Sequence, residues 1–191
     1  DLSGGEKQRV AISRALINDP EVLLMDEPFN QVDAAFRDEL QQDIQNIVSN
    51  TGLTVILVSH DPAEVLAMAD YLLVMKAGEI ADFGNPKELY NTPHTAYTAR
   101  LLAKSNVLTP ELAKRINIES NNIISILQEH VSYEEDPNGP FWIKDVKFRG
   151  FYNEIILGDE ELTMHMIQFP KAQVKKNTRI NILVSSYHSF Q

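Results

Sequence analysis

Val22-Leu23-Leu24-Met25-Asp26-Glu27-Pro28 is an apolar run that stops in two adjacent carboxylates. An unbroken run of this length predicts a strand buried on both faces of a parallel sheet. Two charges at its end are costly unless they are solvated or used. Leu53-Thr54-Val55-Ile56-Leu57-Val58 follows the same pattern and stops in Ser59-His60. Ligands of open α/β sheets bind beyond the carboxyl ends of the strands, so both polar clusters are expected at one sheet edge.

Working outward, a helix is expected from about Glu6 to Leu16, stopped by Asn18-Asp19-Pro20. A second helix should run from Ala34 to Val48. A third, from Ala63 to Met68, starts after Asp61-Pro62. Tyr71 to Met75 reads as a third strand. Ala77-Gly78-Glu79 is then a tight turn into a short strand, Ile80 to Phe83. Strands alternating with helices predict an α/β fold with parallel strands.

After Lys104 the texture changes. A short helix starts at Thr109-Pro110 and ends near Arg115. Extended segments follow at 122–127, 141–148, 151–157, 162–169 and 179–184, separated by turn signals. They predict a small β-barrel or sandwich. The expected division is 1–105, a linker with a short helix at 106–119, and a β domain at 120–191. The acidic stretches Glu134-Glu135-Asp136 and Asp159-Glu160-Glu161 read as solvated loops.

The 191 residues carry a formal net charge of −10, with no Cys. Residues 1–105 hold −8 of it and residues 106–191 hold −2. An acidic chain argues against nucleic acid as a partner, because phosphate neutralisation needs a basic surface. No apolar run approaches the roughly 20 residues of a spanning helix. A membrane role would therefore pass through a partner.

The beginning of the chain, Asp1-Leu2-Ser3-Gly4-Gly5-Glu6-Lys7-Gln8-Arg9, has two readings. Ser3 and Glu6 fit a capping box. The glycines also leave bare backbone N–H groups at a helix N-terminus, where a phosphate could approach. Asp26 can reach Mg²⁺ through water as a hard oxygen ligand. Glu27 can polarise an attacking water. His60 could hydrogen-bond a terminal phosphate and sense its loss. His94, His130, His165 and His188 show no ligand spacing, which argues against a metal site built from histidines.

These motifs, in this order, resemble the ATPase subunit of ATP-binding-cassette (ABC) transporters. Leu2-Ser3-Gly4-Gly5-Glu6, with Gln8-Arg9-Val10-Ala11 behind it, is similar to the family's signature loop. Val22 to Pro28 resembles the Walker B strand and its catalytic glutamate. Asp33 matches the D-loop aspartate, with Asn30-Gln31-Val32 where the family usually reads Ser-Ala-Leu. Val58-Ser59-His60-Asp61 matches the switch histidine. Residues 120–191 resemble the TOBE extension of prokaryotic importer ATPases, an OB-like barrel. There Leu127-Gln128-Glu129-His130 stands where such proteins often have Arg-Pro-Glu-His.

The resemblance implies a P-loop NTPase sheet that binds ATP and Mg²⁺ in a head-to-tail dimer with a second ATPase subunit, expected to be a homodimer. Ser3, Gly4, Gly5, Glu6 and Asp33 would bind nucleotide across that dimer. Asp26 would hold Mg²⁺ through water, and Glu27 and His60 would be catalytic. Permease subunits, and indirectly a periplasmic or lipid-anchored solute-binding protein, would be partners. The place implied is the cytoplasmic face of the plasma membrane. The cargo implied is ferric iron, a polyamine, sulfate, molybdate or sugar. A soluble, non-transport ABC ATPase and a small-ligand module in the β domain are the alternatives. The Walker A loop and Q-loop of the family lie upstream of residue 1. The chain alone is therefore expected not to hydrolyse ATP, and either to accompany an upstream piece or to pair along an exposed sheet edge.

Overall fold

A computed structural model of the chain describes residues 3–169 and 174–190. Leu2 of the signature loop lies outside the described residues. Two compact units are present, Asp1–Asp70 and Tyr71–Gln191.

In the first unit, α1 (Gly4–Leu16) is followed by β1 (Val22–Asp26), α2 (Ala34–Thr51), β2 (Thr54–Val58) and α3 (Pro62–Met68). The apolar runs become strands, and β1 and β2 pair in parallel from Val22↔Thr54 to Asp26↔Val58. Gly52 ends α2 in the left-handed conformation at φ 70°, its N–H donating to the Val48 carbonyl. Ile12, Leu23, Met25, Phe29, Val32, Leu40, Ile44 and Leu53 form one core, with Met68 of α3 packed against it.

The expectation that both strands are buried on both faces is corrected on one face. Leu23 and Met25 are buried, whereas Leu24 is 71 % exposed and Val22, Ile56 and Val58 are also exposed. Helices α1, α2 and α3 all contribute to the core on the Leu23–Met25 side. A continuous apolar run records a buried-type composition, not which layers cover it.

In the second unit, β3 (Leu72–Lys76) and β4 (Glu79–Gly84) form an antiparallel hairpin. Ala77 at φ 52° and Gly78 at φ 84° supply the two left-handed residues that a tight two-residue turn needs. Two helices follow that the apolar pattern does not announce, α4 (Pro86–Asn91) and α5 (Ala96–Ala103). Both begin on side-chain caps, Asn85 and Thr95. The buried Asp82 carboxylate accepts the His94 N–H at 3.0 Å and meets the His94 ring, and with Thr98 these bonds outweigh burial and lower its pKa.

The remainder is β5 (Asn106–Leu108), α6 (Pro110–Arg115), β6 (Ile124–Ile126), β7 (Val131–Glu135), β8 (Phe141–Phe148), β9 (Asn153–Gly158), β10 (Thr163–Gln168), β11 (Arg179–Val184) and β12 (His188–Ser189). Five strands form an antiparallel sheet in the order β10-β9-β8-β11-β7, and three form β12-β6-β5. Ile124 and Ile126 of the small sheet share one core with Ile143, Ile155, Leu157, Met164 and Ile180 of the large one.

The two acidic stretches are not simple solvated loops. Glu134 and Glu135 are exposed residues of β7. Asp159 is buried and bonded to Arg115 and to the N–H groups of Glu161 and Leu162. Its pKa falls although burial opposes that, because these donors favour the charged form.

Asn106 ties the two sheets together. Its Nδ2 donates to the His165 carbonyl at 2.8 Å, and its Oδ1 accepts the His165 N–H at 2.7 Å. Replacing a buried amide by an apolar side chain of similar shape leaves those groups unpaired. Asn106→Leu is expected to cost about 1–3 kcal/mol. Urea unfolding checks this, and an unchanged midpoint would rule out the tie.

Candidate functional site

Helix α1 starts on Ser3. The Ser3 Oγ accepts the Glu6 N–H at 3.3 Å, and Glu6 Oε2 accepts the Ser3 N–H at 2.8 Å. Both halves of the capping box are present. The backbone bond to Ser3, together with its side chain, lowers the Glu6 pKa.

Gly4 has a packing reason of its own. A Cβ on Gly4 would stand 1.9 Å from the Gln31 carbonyl oxygen. On Gly5 the nearest atom would be Val32 Cγ1, at an ordinary 3.9 Å. The start of α1 therefore lies against the loop that carries Glu27 and Asp33. The Gly4 and Gly5 N–H groups belong to the first turn, which has no intrahelical acceptors.

Glu27 follows directly on β1. It adopts φ 48°, an uncommon conformation for a residue with a side chain. Its N–H donates to the Val58 carbonyl at 2.9 Å, and its own carbonyl accepts the Asn30 N–H at 3.3 Å. Phe29, only 1 % exposed, anchors the loop in the core. This turn aims the Glu27 carboxylate across the strand ends, where Oε1 lies 2.8 Å from His60 Nδ1. The two residues are 33 positions apart in sequence.

Asp26 is exposed at the end of β1 and, among the described residues, has no ion-pair partner within 4.0 Å. Its donor chemistry fits a hard cation held through water. Asp33 occupies the N-cap position of α2, exposed and with no side-chain capping bond.

The hydrogen bond that His60 donates to Glu27, and then the Glu27 charge, raise the His60 pKa; Glu64 and Asp61 act in the same direction. A pKa raised in the folded state gives stability that is complete below the unfolded value of about 6.5 and is lost as pH rises through the folded value. Wild type should therefore exceed His60→Gln in melting temperature on the acid side of about pH 6.5. The gap should close at higher pH. Melting curves across this window check the pair, and a gap constant with pH would contradict it.

Two residues of this site, Arg37 and Glu64, carry no motif signal for it, and both connect to it beside Ser59 of the switch motif. Ser59 Oγ donates to Glu64 Oε2 at 2.5 Å and accepts the Asp61 N–H at 3.0 Å. Glu64 Oε1 is 3.7 Å from Arg37 Nη1, and Arg37 Nε donates to the Val32 carbonyl at 3.2 Å. Asp61 caps α3, accepting the Ala63 N–H at 2.9 Å, and Glu64 turns to Ser59 and Arg37.

Among the described residues, no helix is long and apolar enough to cross a membrane. The family described as ABC transporter matches residues 1–30. The spermidine/putrescine import ATP-binding protein PotA of Bacillus thuringiensis subsp. konkukian is 35% identical over 182 residues, covering 90% of this chain and 52% of that protein. Its namesake in Mycoplasma capricolum is 36% identical over 177 residues, covering 82% and 50%. The chain spans about half the length of the curated relatives it matches. A solved dimeric post-hydrolysis state of the ATP-binding cassette MJ0796 with ADP and Pi is 33% identical, with a TM-score of 0.40 over 44% of this chain and 36% of that one.

Proposed function

We propose, from the premise that this chain carries part of an ABC transporter ATPase domain, that the whole protein hydrolyses ATP to drive import of a small solute of the polyamine class. The observation that carries the chemistry is the Glu27–His60 contact, 2.8 Å long, at the carboxyl ends of a parallel strand pair. The cargo class is supported by the polyamine-import relatives, whose similarity extends over 90% of the chain.

Glu27 is the general base that accepts a proton from the attacking water. Its left-handed backbone sets the carboxylate apart from Asp26, so that adjacent acids take separate roles. His60 holds Glu27 through Nδ1, and its ring is otherwise open, with 73% of the side chain exposed. It can thus donate toward a terminal phosphate while orienting the base. Mg²⁺, held through water by Asp26, would supply charge neutralisation on the phosphates. Ser3, Gly4 and Gly5 present the N-terminal end of α1 to a nucleotide bound by a second subunit, with Asp33 beside them in that dimer. The Ser3 hydroxyl would exchange its capping bond for the phosphate. Glu6 acts through the cap.

Residues 120–191 are read as a TOBE-like regulatory domain, supported by two sheets closing on one core. The protein would act on the cytoplasmic face of the membrane, through permease subunits and indirectly a solute-binding protein.

Uptake of labelled spermidine by cells lacking the gene tests the reading. Restored, ATP-dependent uptake with the wild-type gene and none with Glu27→Gln is the expected result. Mg-dependent ATP hydrolysis without any solute uptake would favour a non-transport ABC ATPase.

A further inference from the structure

We infer that Glu64 is a positioning residue whose single carboxylate sets both the turn that carries His60 and the turn that ends at Asp33. The inference rests on the reading of Glu27, His60 and Asp33 given above.

Glu64 sits in the first turn of α3 and is only 7% exposed. A buried carboxylate persists where it is hydrogen-bonded and faces an opposite charge. Here each oxygen serves a different loop. Oε2 accepts from the Ser59 hydroxyl, which also takes the Asp61 N–H. That pins the backbone on both sides of His60, and so the ring that meets Glu27. Oε1 faces the Arg37 guanidinium, and Arg37 Nε holds the Val32 carbonyl. Val32 directly precedes Asp33, whose side chain makes no capping bond of its own. The turn before Asp33 is therefore held from α3, across the fold, through Arg37.

The consequence is mechanical. His60 acts on the nucleotide of its own subunit, and Asp33 faces the partner. A displacement of either turn is felt by the other through one buried side chain. Such coupling needs a continuous link, and here it runs Ser59–Glu64–Arg37–Val32 through two hydrogen bonds and one 3.7 Å ion pair.

The test uses the whole protein with Ser59→Ala, Ser59→Thr and Glu64→Gln, alone and combined with His60→Ala. Glu64→Gln keeps the shape and removes the charge. Ser59→Ala removes only the hydroxyl. Both should lower kcat about 10- to 100-fold by misplacing His60, with KM for ATP little changed. Ser59→Thr, which keeps the hydroxyl, should restore most of the rate. In the His60→Ala background, Glu64→Gln should lower kcat by clearly less than it does alone, because only its hold on the turn before Asp33 is then left to lose.

A readout independent of turnover is the ¹⁵N-histidine titration of His60, whose ring meets Glu27 and lies in the field of Glu64 and Asp61. Ser59→Ala alters no charge, so a fall of the His60 pKa toward about 6.5 reports lost geometry. An unmoved His60 titration in Ser59→Ala would overturn the inference. So would an equal fold-loss from Glu64→Gln with and without His60. Normal turnover of His60→Ala or Glu27→Gln would instead refute the site reading, and the titration would still decide the positioning.

Discussion

Replacing Glu27 by Gln in the whole protein should lower kcat for ATP hydrolysis by about 10²- to 10⁴-fold and leave ATP affinity within a few-fold of wild type. The substitution is close to isosteric. The amide oxygen can still meet His60 Nδ1, so the 2.8 Å contact and the turn at φ 48° have no reason to change. What disappears is the ability to take a proton. Steady-state turnover and equilibrium nucleotide binding, measured on the same preparation, separate these effects. Turnover within about threefold of wild type would remove Glu27 from the role of base.

The same position allows a second reading of its backbone. A left-handed residue with a side chain carries strain of order 1–2 kcal/mol relative to a residue without one. On the alkaline side of the His60 titration, where the pair with Glu27 no longer adds stability, Glu27→Gly should therefore be at least as stable as wild type while losing turnover. That combination is expected where conformation is held for function rather than for packing.

The parallel pair, the β3–β4 hairpin and the acid–histidine edge were all legible from residues, because apolar runs ending in polar clusters state both a strand and its end. Topology placed Glu27 and His60 at one sheet edge, but their contact needed the structure, because the sequence does not state that β1 and β2 are neighbours. The helices α4 and α5 were missed, although Asn85-Pro86 and Thr95 are cap signals. At six and eight residues they are too short to develop an amphipathic period. The exposed face of β1 and β2 was not legible, because composition cannot report which layer covers a strand. Glu64 was not legible, because nothing in its sequence neighbourhood sets it apart from an ordinary first-turn helix acid. Its role depends on Ser59 and Arg37, which lie on different elements and share no sequence spacing with it.

Gly4 is where helix propensity and packing give opposite expectations. Propensity alone favours Gly4→Ala, since Gly in a helix is worse than Ala by about 1 kcal/mol. Packing opposes it: the new Cβ would meet the Gln31 carbonyl at 1.9 Å, far inside van der Waals contact. Gln31 cannot simply withdraw. It lies between Phe29 and Val32, which are 1% and 4% exposed and belong to the core. Either α1 tilts away from Ile12's seat, or the Glu27–Asp33 loop moves. Overpacking of this kind costs about 1–3 kcal/mol and at times more, so packing prevails. Gly5→Ala is the control, because its Cβ meets only a methyl group at 3.9 Å. It should leave stability unchanged or slightly raised. If both glycines also admit a partner's phosphate, both variants lose turnover, but only Gly4→Ala loses stability. Urea midpoints of the two variants decide the matter. Equal midpoints would mean that α1 does not rest on Gln31, and that both glycines answer to the ligand alone.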